Sequence, residues 1–262
     1  MTDDSRKAQR VMRREPPRLL VATVDSIGLL TPHMARIGVS GPDLAEMEQP
    51  MPAASVRLFT PFPGSRELPA VVWNGNAYRL DDGTRPLIRT FTPINFNATA
   101  GRLDLDIVLH ETGAATQWLE TAEPGDPVAI SGPGRGYRID TDAAAYLVAG
   151  DESALPAIGQ VIEALDSVVA VRAVVEAGTA EARQDLPDHP GLQVEWAIRP
   201  PGSEPGSALL PALRAAEIEK ATTAWAAGEA GAMFHVRKYL LEESGLDRSR
   251  VTVRGYWKRR DG

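Results

Sequence analysis

The chain contains no cysteine. That absence removes disulfides, thiolate-held zinc, cysteine-ligated iron–sulfur clusters and dithiol redox chemistry at once. Redox work, if there is any, must therefore be carried by a bound cofactor. Histidine is scarce, with four in 262 residues, and no HxxxH or HExxH spacing sets out a metal site. No apolar run approaches the roughly 18 to 20 residues of a bilayer-spanning helix, so no membrane insertion is expected. The Arg-rich opening leads into Pro16 and Pro17 rather than a secretory apolar core, and the expected location is cytoplasmic. Positive charge is also in deficit. A net charge of -7 repels phosphate polymers, and nucleic acid is not an expected partner.

What is present describes an ordinary folded protein, with 43% hydrophobic and 24% charged residues and enough length for two modest cores. Residues 1–17 carry Arg6, Lys7, Arg10, Arg13 and Arg14 without an apolar period and read as a flexible basic arm. From residue 18 to 141 the pattern is strand-like. Leu20, Ala22 and Val24 alternate, as do Ala35, Ile37 and Val39, and Leu103, Leu105, Ile107 and Leu109. Closely spaced turn formers favour a small antiparallel β-barrel. Only the stretch from Gly113 to Glu120 looks helical there. Asp104 and Asp106, alternating with leucines, read as a solvated strand face. Gly132-Pro133-Gly134-Arg135-Gly136 runs on into Tyr137 and no helix, so it reads as a turn at the barrel's end rather than a phosphate loop.

From residue 142 to 262 strands and helices alternate, the texture of an α/β domain. Strands are expected over Tyr146 to Ala149, Val168 to Val175, Gln193 to Ile198 and Thr222 to Ala227. A helix is expected from Ala154 to Leu165. A late helix should present Ala230, Met233, Phe234, Leu240 and Leu241 on one face.

Four stretches carry chemistry. Arg89-Thr90-Phe91-Thr92 offers a cation, an aromatic face and hydroxyls on strand-like sequence, a set suited to a flat, phosphorylated cofactor. The stretch from His110 through Glu111, Thr112, Gly113, Ala114, Ala115 and Thr116 to Trp118 opens a short helix through small residues, where a pyrophosphate could meet backbone amides. Taken singly, His110 reads as a hydrogen-bonded structural histidine and Trp118 as a core residue. Gly150-Asp151-Glu152-Ser153-Ala154 ends a strand in an acidic turn just before a helix, and Gly228-Glu229 repeats the device later. Ligands of open α/β sheets bind at such strand ends. Asp151 or Ser153 could also serve only as a helix cap.

Together with Gly255-Tyr256-Trp257, these stretches resemble the siderophore-interacting protein family, flavin-dependent ferric-siderophore reductases related to ferredoxin reductases. The resemblance runs from about Leu19 to Trp257. It implies an FAD-binding barrel followed by a Rossmann-like domain presenting NADH or NADPH. On the same basis Arg89, Phe91 and Thr92 would hold the flavin and its phosphate, with Gly113, Ala114, Ala115 and Thr116 beside the pyrophosphate. Asp151, Glu152, Ser153, Ala154, Gly228 and Glu229 would line the nicotinamide side, and Thr90, His110, Trp118, Tyr256 and Trp257 complete the expected cofactor-binding set. The chain departs from the family where Phe91 replaces a common Tyr, Ile94 stands near a common Arg, Glu111 replaces Gly, Ala114 replaces Pro and Ser153 replaces Thr.

The implied function is transfer of electrons from NAD(P)H through FAD to a chelated ferric ion. No protein acid or base and no resident metal is called for. Arg254, Lys258, Arg259 and Arg260 are candidate docking cations for an anionic ferric siderophore. Two alternatives share the sequence: a ferredoxin or flavodoxin reductase-like protein, and a siderophore-binding utilisation factor without turnover. Glu176 could accept ribose hydroxyls, while Arg172 or Arg199 could meet a 2'-phosphate, with family grounds leaning to NADPH. A monomer is the default expectation.

Overall fold

The computed structural model describes residues 15–110 and 113–259. The N-terminal half is built from β1 (Leu20–Thr31), β2 (Met34–Ser40), β3 (Ser55–Phe59), a small hairpin of β4 (Val72–Trp73) and β5 (Tyr78–Arg79), β6 (Ile88–Phe91), β7 (Pro93–Asn97), β8 (Arg102–Val108), a short helix α1 (Ala114–Leu119) and β9 (Pro127–Gly134). Seven of these strands form one sheet in the order β6-β3-β9-β1-β2-β8-β7, with antiparallel neighbours throughout. The alternation read from sequence places Leu20, Ala22, Val24, Ile37, Val39, Leu103, Leu105 and Ile107 in one buried core.

The sheet curls without closing into the expected barrel. Its two edge strands, β6 and β7, share no ladder. Only Thr92 separates them in the chain, too little for the turn of about two residues that antiparallel neighbours need. Two further expectations are corrected. Residues 132–134 belong to β9, which pairs with β3 as far as Gly134 opposite Ser55. Asp104 and Asp106 are not a solvated face: Asp104 is buried, with Asn95 donating to it at 2.8 Å, and Asp106 accepts a bidentate pair from Arg36 at 2.7 and 2.8 Å. The arginine and asparagine that satisfy them come from other strands, which spacing along one strand does not show.

The C-terminal half contains β10 (Ala145–Asp151), α2 (Leu155–Glu163), β11 (Ala170–Ala177), β12 (Leu192–Ile198), α3 (Leu209–Ala215), β13 (Thr223–Glu229), α4 (Ala230–Lys238) and β14 (Val251–Trp257). These strands form a parallel sheet in the order β12-β11-β10-β13-β14. Parallel strands covered on both faces read as continuous apolar or small-residue runs, and every residue of β13 is buried. One face packs against α2 and the other against α3 and α4. On α4 the buried face is Ala232, Met233 and Val236, continuing to Leu240. Phe234, expected on that face, is 66% exposed, because it lies one residue, about 100° of helix, away from Met233.

The chain order reverses across β10, which has β11 on one side and β13 on the other. The crevice beyond the carboxyl ends of such a pair is where open α/β sheets bind ligands.

Candidate functional site

Both glycine–acid turns stand at that switch point. Gly150 pairs opposite Ala227, and a Cβ on Gly150 would collide with the Ala227 carbonyl oxygen, so only glycine lets the strand ends approach this closely. The next residue, Asp151, ties the crevice together. Its Oδ1 accepts from the Ser153 amide at 3.0 Å and the Ser153 hydroxyl at 2.5 Å. Its Oδ2 accepts from the Glu229 amide at 2.8 Å and from the Trp257 indole N–H at 2.9 Å. Burial pushes the Asp151 carboxyl above the ordinary carboxylate range, against these hydrogen bonds. One carboxylate thus joins the ends of β10, β13 and β14. Asp151 and Ser153 do cap the turn, and Asp151 also fixes an aromatic side chain that is 40% exposed at the crevice.

Glu229 turns into its own helix, accepting the Ala232 amide at 2.8 Å and so capping α4. Glu152 accepts the Gly178 amide at 2.6 Å, and burial raises its affinity for a proton. Ala154 is fully buried behind the turn. Gly228 faces Asp151, whose Oδ2 would lie 2.7 Å from an added Cβ.

The N-terminal half meets this edge through β6. In the ladder with β3, Arg89 lies opposite Leu58 and Phe91 opposite Val56, so the two share a face, while Thr90 lies on the other face opposite Arg57. Arg89 and Thr90 are exposed; Phe91 is half-buried against the N-terminal core, as are Ala114 and Ala115 of α1. Thr92 is buried and lies beside Tyr256 on β14. Burial pushes the Tyr256 phenol above its usual value, against the opposing influence of Thr92 and Arg254. The strand carrying Arg89 to Phe91 therefore ends directly on the strand carrying Trp257.

His110 is exposed and accepts the Gly113 amide at 3.0 Å through its carbonyl. A Cβ on Gly113 would lie 2.6 Å from the His110 ring nitrogen. Thr116 Oγ1 accepts the His110 amide at 3.1 Å. Trp118, in contrast, is 1% exposed inside the N-terminal core, so it supports α1 from below and cannot touch a ligand. Glu111 and Thr112 lie outside the described residues.

The terminal cations are not one patch. Arg254 donates to the carbonyl oxygens of Ala53 at 3.0 Å, Arg135 at 2.5 Å and Gly136 at 2.9 Å. Its guanidinium clamps the N-terminal half to β14, so it is a structural cation and not the docking cation expected from sequence. Lys258 is exposed. Arg259 pairs with Glu204, and Arg260 and most of the basic arm, residues 1–14, lie outside the described residues. Sequence reading missed Gln160 of α2, which accepts the Ala53 amide at 3.0 Å and donates to the Pro93 carbonyl at 2.6 Å. Ala53 is thus held on both sides, its N–H by Gln160 and its C=O by Arg254. No spacing rule marks either residue, because both act on backbone 67 to 201 positions away.

The expectation for Glu176 is also overturned. It is 2% exposed and accepts the amides of Gly206, Ala208 and Leu209 at 2.8 to 2.9 Å. Its carboxylate is used up at the start of α3.

The donor set suits a flat, phosphorylated cofactor. The first-turn amides of α1 have no intrahelical acceptors, Ala114 and Ala115 leave them uncrowded, and Arg89 presents a cation on the face of β6 that it shares with Phe91. Phe91 and Trp257 supply apolar surface.

Comparison with known proteins agrees with this geometry. Residues 23–137 match the siderophore-interacting FAD-binding domain and residues 143–260 the siderophore-interacting protein family. A siderophore utilization protein from T. fusca superposes with a TM-score of 0.81 at 32% identity, covering 95% of each chain. The ferric vibriobactin reductase ViuB of Vibrio cholerae is 26% identical over 87% of this chain and 84% of its own length. The ferredoxin reductase of carbazole 1,9a-dioxygenase shares the fold at a TM-score of 0.70 and 14% identity, covering 93% of this chain and 70% of that one. The chain thus has a ferredoxin-reductase-like fold, and it belongs to the siderophore-interacting protein family and carries that family's FAD-binding domain.

Proposed function

We propose that the protein is an FAD-dependent ferric-siderophore reductase that draws electrons from NAD(P)H and acts in the cytoplasm. The observation that carries this reading is the junction at Asp151. The nucleotide crevice of the parallel sheet is tied there to Trp257, on the strand whose Tyr256 lies beside Thr92 at the end of the flavin strand. The similarity to a ferric vibriobactin reductase supports the choice of acceptor.

Residues 18–141 would hold FAD and residues 142–262 the nucleotide. Arg89, Thr90, Phe91 and Thr92 bind the flavin and its phosphate, with His110 and Gly113 to Thr116 beside the pyrophosphate. Asp151, Glu152, Ser153, Gly228 and Glu229 shape the nicotinamide crevice, and Trp257 walls it. FAD supplies the exchange between a two-electron hydride donor and a one-electron ferric acceptor, so one nicotinamide serves two ferric ions. The residues' task is positioning and exclusion of water. Lys258 and Arg259 draw in the anionic chelate.

The visible spectrum of the purified, FAD-loaded protein tests this. Anaerobic NAD(P)H should bleach the flavin band, and a ferric siderophore should restore it while a ferrous trap colours. Absence of flavin uptake with added FAD would overturn the proposal. Bleaching that only ferredoxin reverses would replace the substrate.

A further inference from the structure

Resting on that reading, we infer that Gln160 and Arg254 are positioning residues of the reduction. By holding Ala53 in a strained backbone conformation, they set the separation between the flavin strand and the nucleotide crevice.

Ala53 belongs to the N-terminal half, yet it is buried in the core of the other half, the one that holds Ala154, Ile158 and Trp225. Its φ is 51°, in the left-handed region that residues with a side chain seldom enter. Among the described residues only Asn95, at 50°, and Arg135, at 54°, share that trait without being glycine. All three stand at the seam between the halves. Arg254 donates to the carbonyls of both Ala53 and Arg135, and Asn95 lies two residues beyond Pro93, whose carbonyl accepts from Gln160. Backbone of this kind persists only where its surroundings over-determine it, and it gathers at functional sites.

Gln160 reaches both ligand-binding elements. Its side-chain carbonyl accepts the Ala53 amide at 3.0 Å, and its side-chain nitrogen donates to the Pro93 carbonyl at 2.6 Å. Pro93 directly follows Thr92, at the end of the strand assigned to the flavin. Gln160 itself lies five residues beyond Leu155, the first residue of α2, about 7.5 Å along a helix that opens from the Asp151 turn. One side chain therefore joins the crevice helix to the flavin strand. Arg254 adds the join from β14, the strand that carries Trp257. A misplacement of about 1 Å can cost about 100-fold in rate, so these two residues act on the reduction without touching the reacting atoms.

The absence of cysteine lets two spin labels report on the seam. They are attached through Thr99→Cys, in the turn after β7, and Lys220→Cys, just before β13, both at exposed positions. In the FAD-loaded protein the labels should give one narrow distance distribution, and a broader one when Gln160→Met or Arg254→Met is added. In the unlabelled variants, stopped-flow reduction of the flavin by NAD(P)H should reach a limiting rate about 10- to 100-fold below wild type, with half-saturation shifted by no more than about 2-fold. Gln160→Glu keeps an acceptor for Ala53 but, when ionised, has no donor for Pro93. Its limiting rate relative to wild type should recover as pH falls and the carboxyl gains a proton. A merely structural role would lower the thermal midpoint and FAD affinity while leaving the limiting rate and its pH profile as in wild type. That result, or a label distribution no broader than that of wild type, would overturn the inference. A wild-type flavin that neither NADPH nor NADH bleaches would instead overturn the reductase reading on which it rests.

Discussion

Asp151 shows how much one side chain can organise. It accepts four hydrogen bonds from three strand ends or their turns, yet burial still lifts its proton affinity above that of a free carboxylate. The folded state then holds this proton to higher pH than the unfolded chain, whose aspartates titrate near about 3.9. The group's contribution to stability is therefore complete below that value and is lost as pH rises through the folded one. Asp151→Asn cannot titrate. The stability advantage of wild type over this variant, from urea midpoints, should shrink as pH rises above about 4; an advantage that grows with pH would contradict the burial argument. Cooperation of this kind was only half legible in sequence. The Gly150-Asp151 turn announces itself beside a helix start, but the partners Glu229 and Trp257 are 78 and 106 positions away.

Among the elements, those with a clear period were legible and those fixed by distant partners were not. The strands β1, β2 and β8 follow from alternation, and β10, α2 and β13 follow from the change of texture near residue 142. The late helix was found but turned by one position, because Phe234 is as apolar as Met233 and only packing distinguishes them. The open curl of the N-terminal sheet escaped notice because closure depends on strand pairing, which turn spacing does not specify. The helix α3 was missed: Leu209–Ala215 is seven residues long, short enough to pass for loop. Its stability comes from Glu176 at its entry. Glu176→Ala leaves three amides without that acceptor and should cost about 1 to 3 kcal/mol, read as a lowered denaturation midpoint with early loss of amide-exchange protection over residues 206–215. Unchanged protection there would mean that packing of Leu209 and Leu213 alone holds the helix.

For the molecule as a whole, net charge and local charge pull apart. The mean field of a chain at -7 opposes an anionic ferric chelate, so under the proposed function the exposed Lys258 and Arg259 beyond β14 would act at short range. Lys258→Ala combined with Arg259→Ala should raise the apparent KM for an anionic chelate several-fold and spare NAD(P)H oxidation by a neutral dye. Equal losses with both acceptors would assign those residues to folding. Salt should mimic the double variant, since about 0.15 M already screens beyond roughly 8 Å. On the proposed reading the chelate's approach would depend on the tail, without movement of the two halves to admit it. Gln160 and Arg254 grip one peptide unit, Ala53, from opposite sides, and a molecule clasped in this way has no obvious pivot there. Thickening the solvent with glycerol should then slow the arrival of reactants but leave hydride transfer within a single turnover at its ordinary pace.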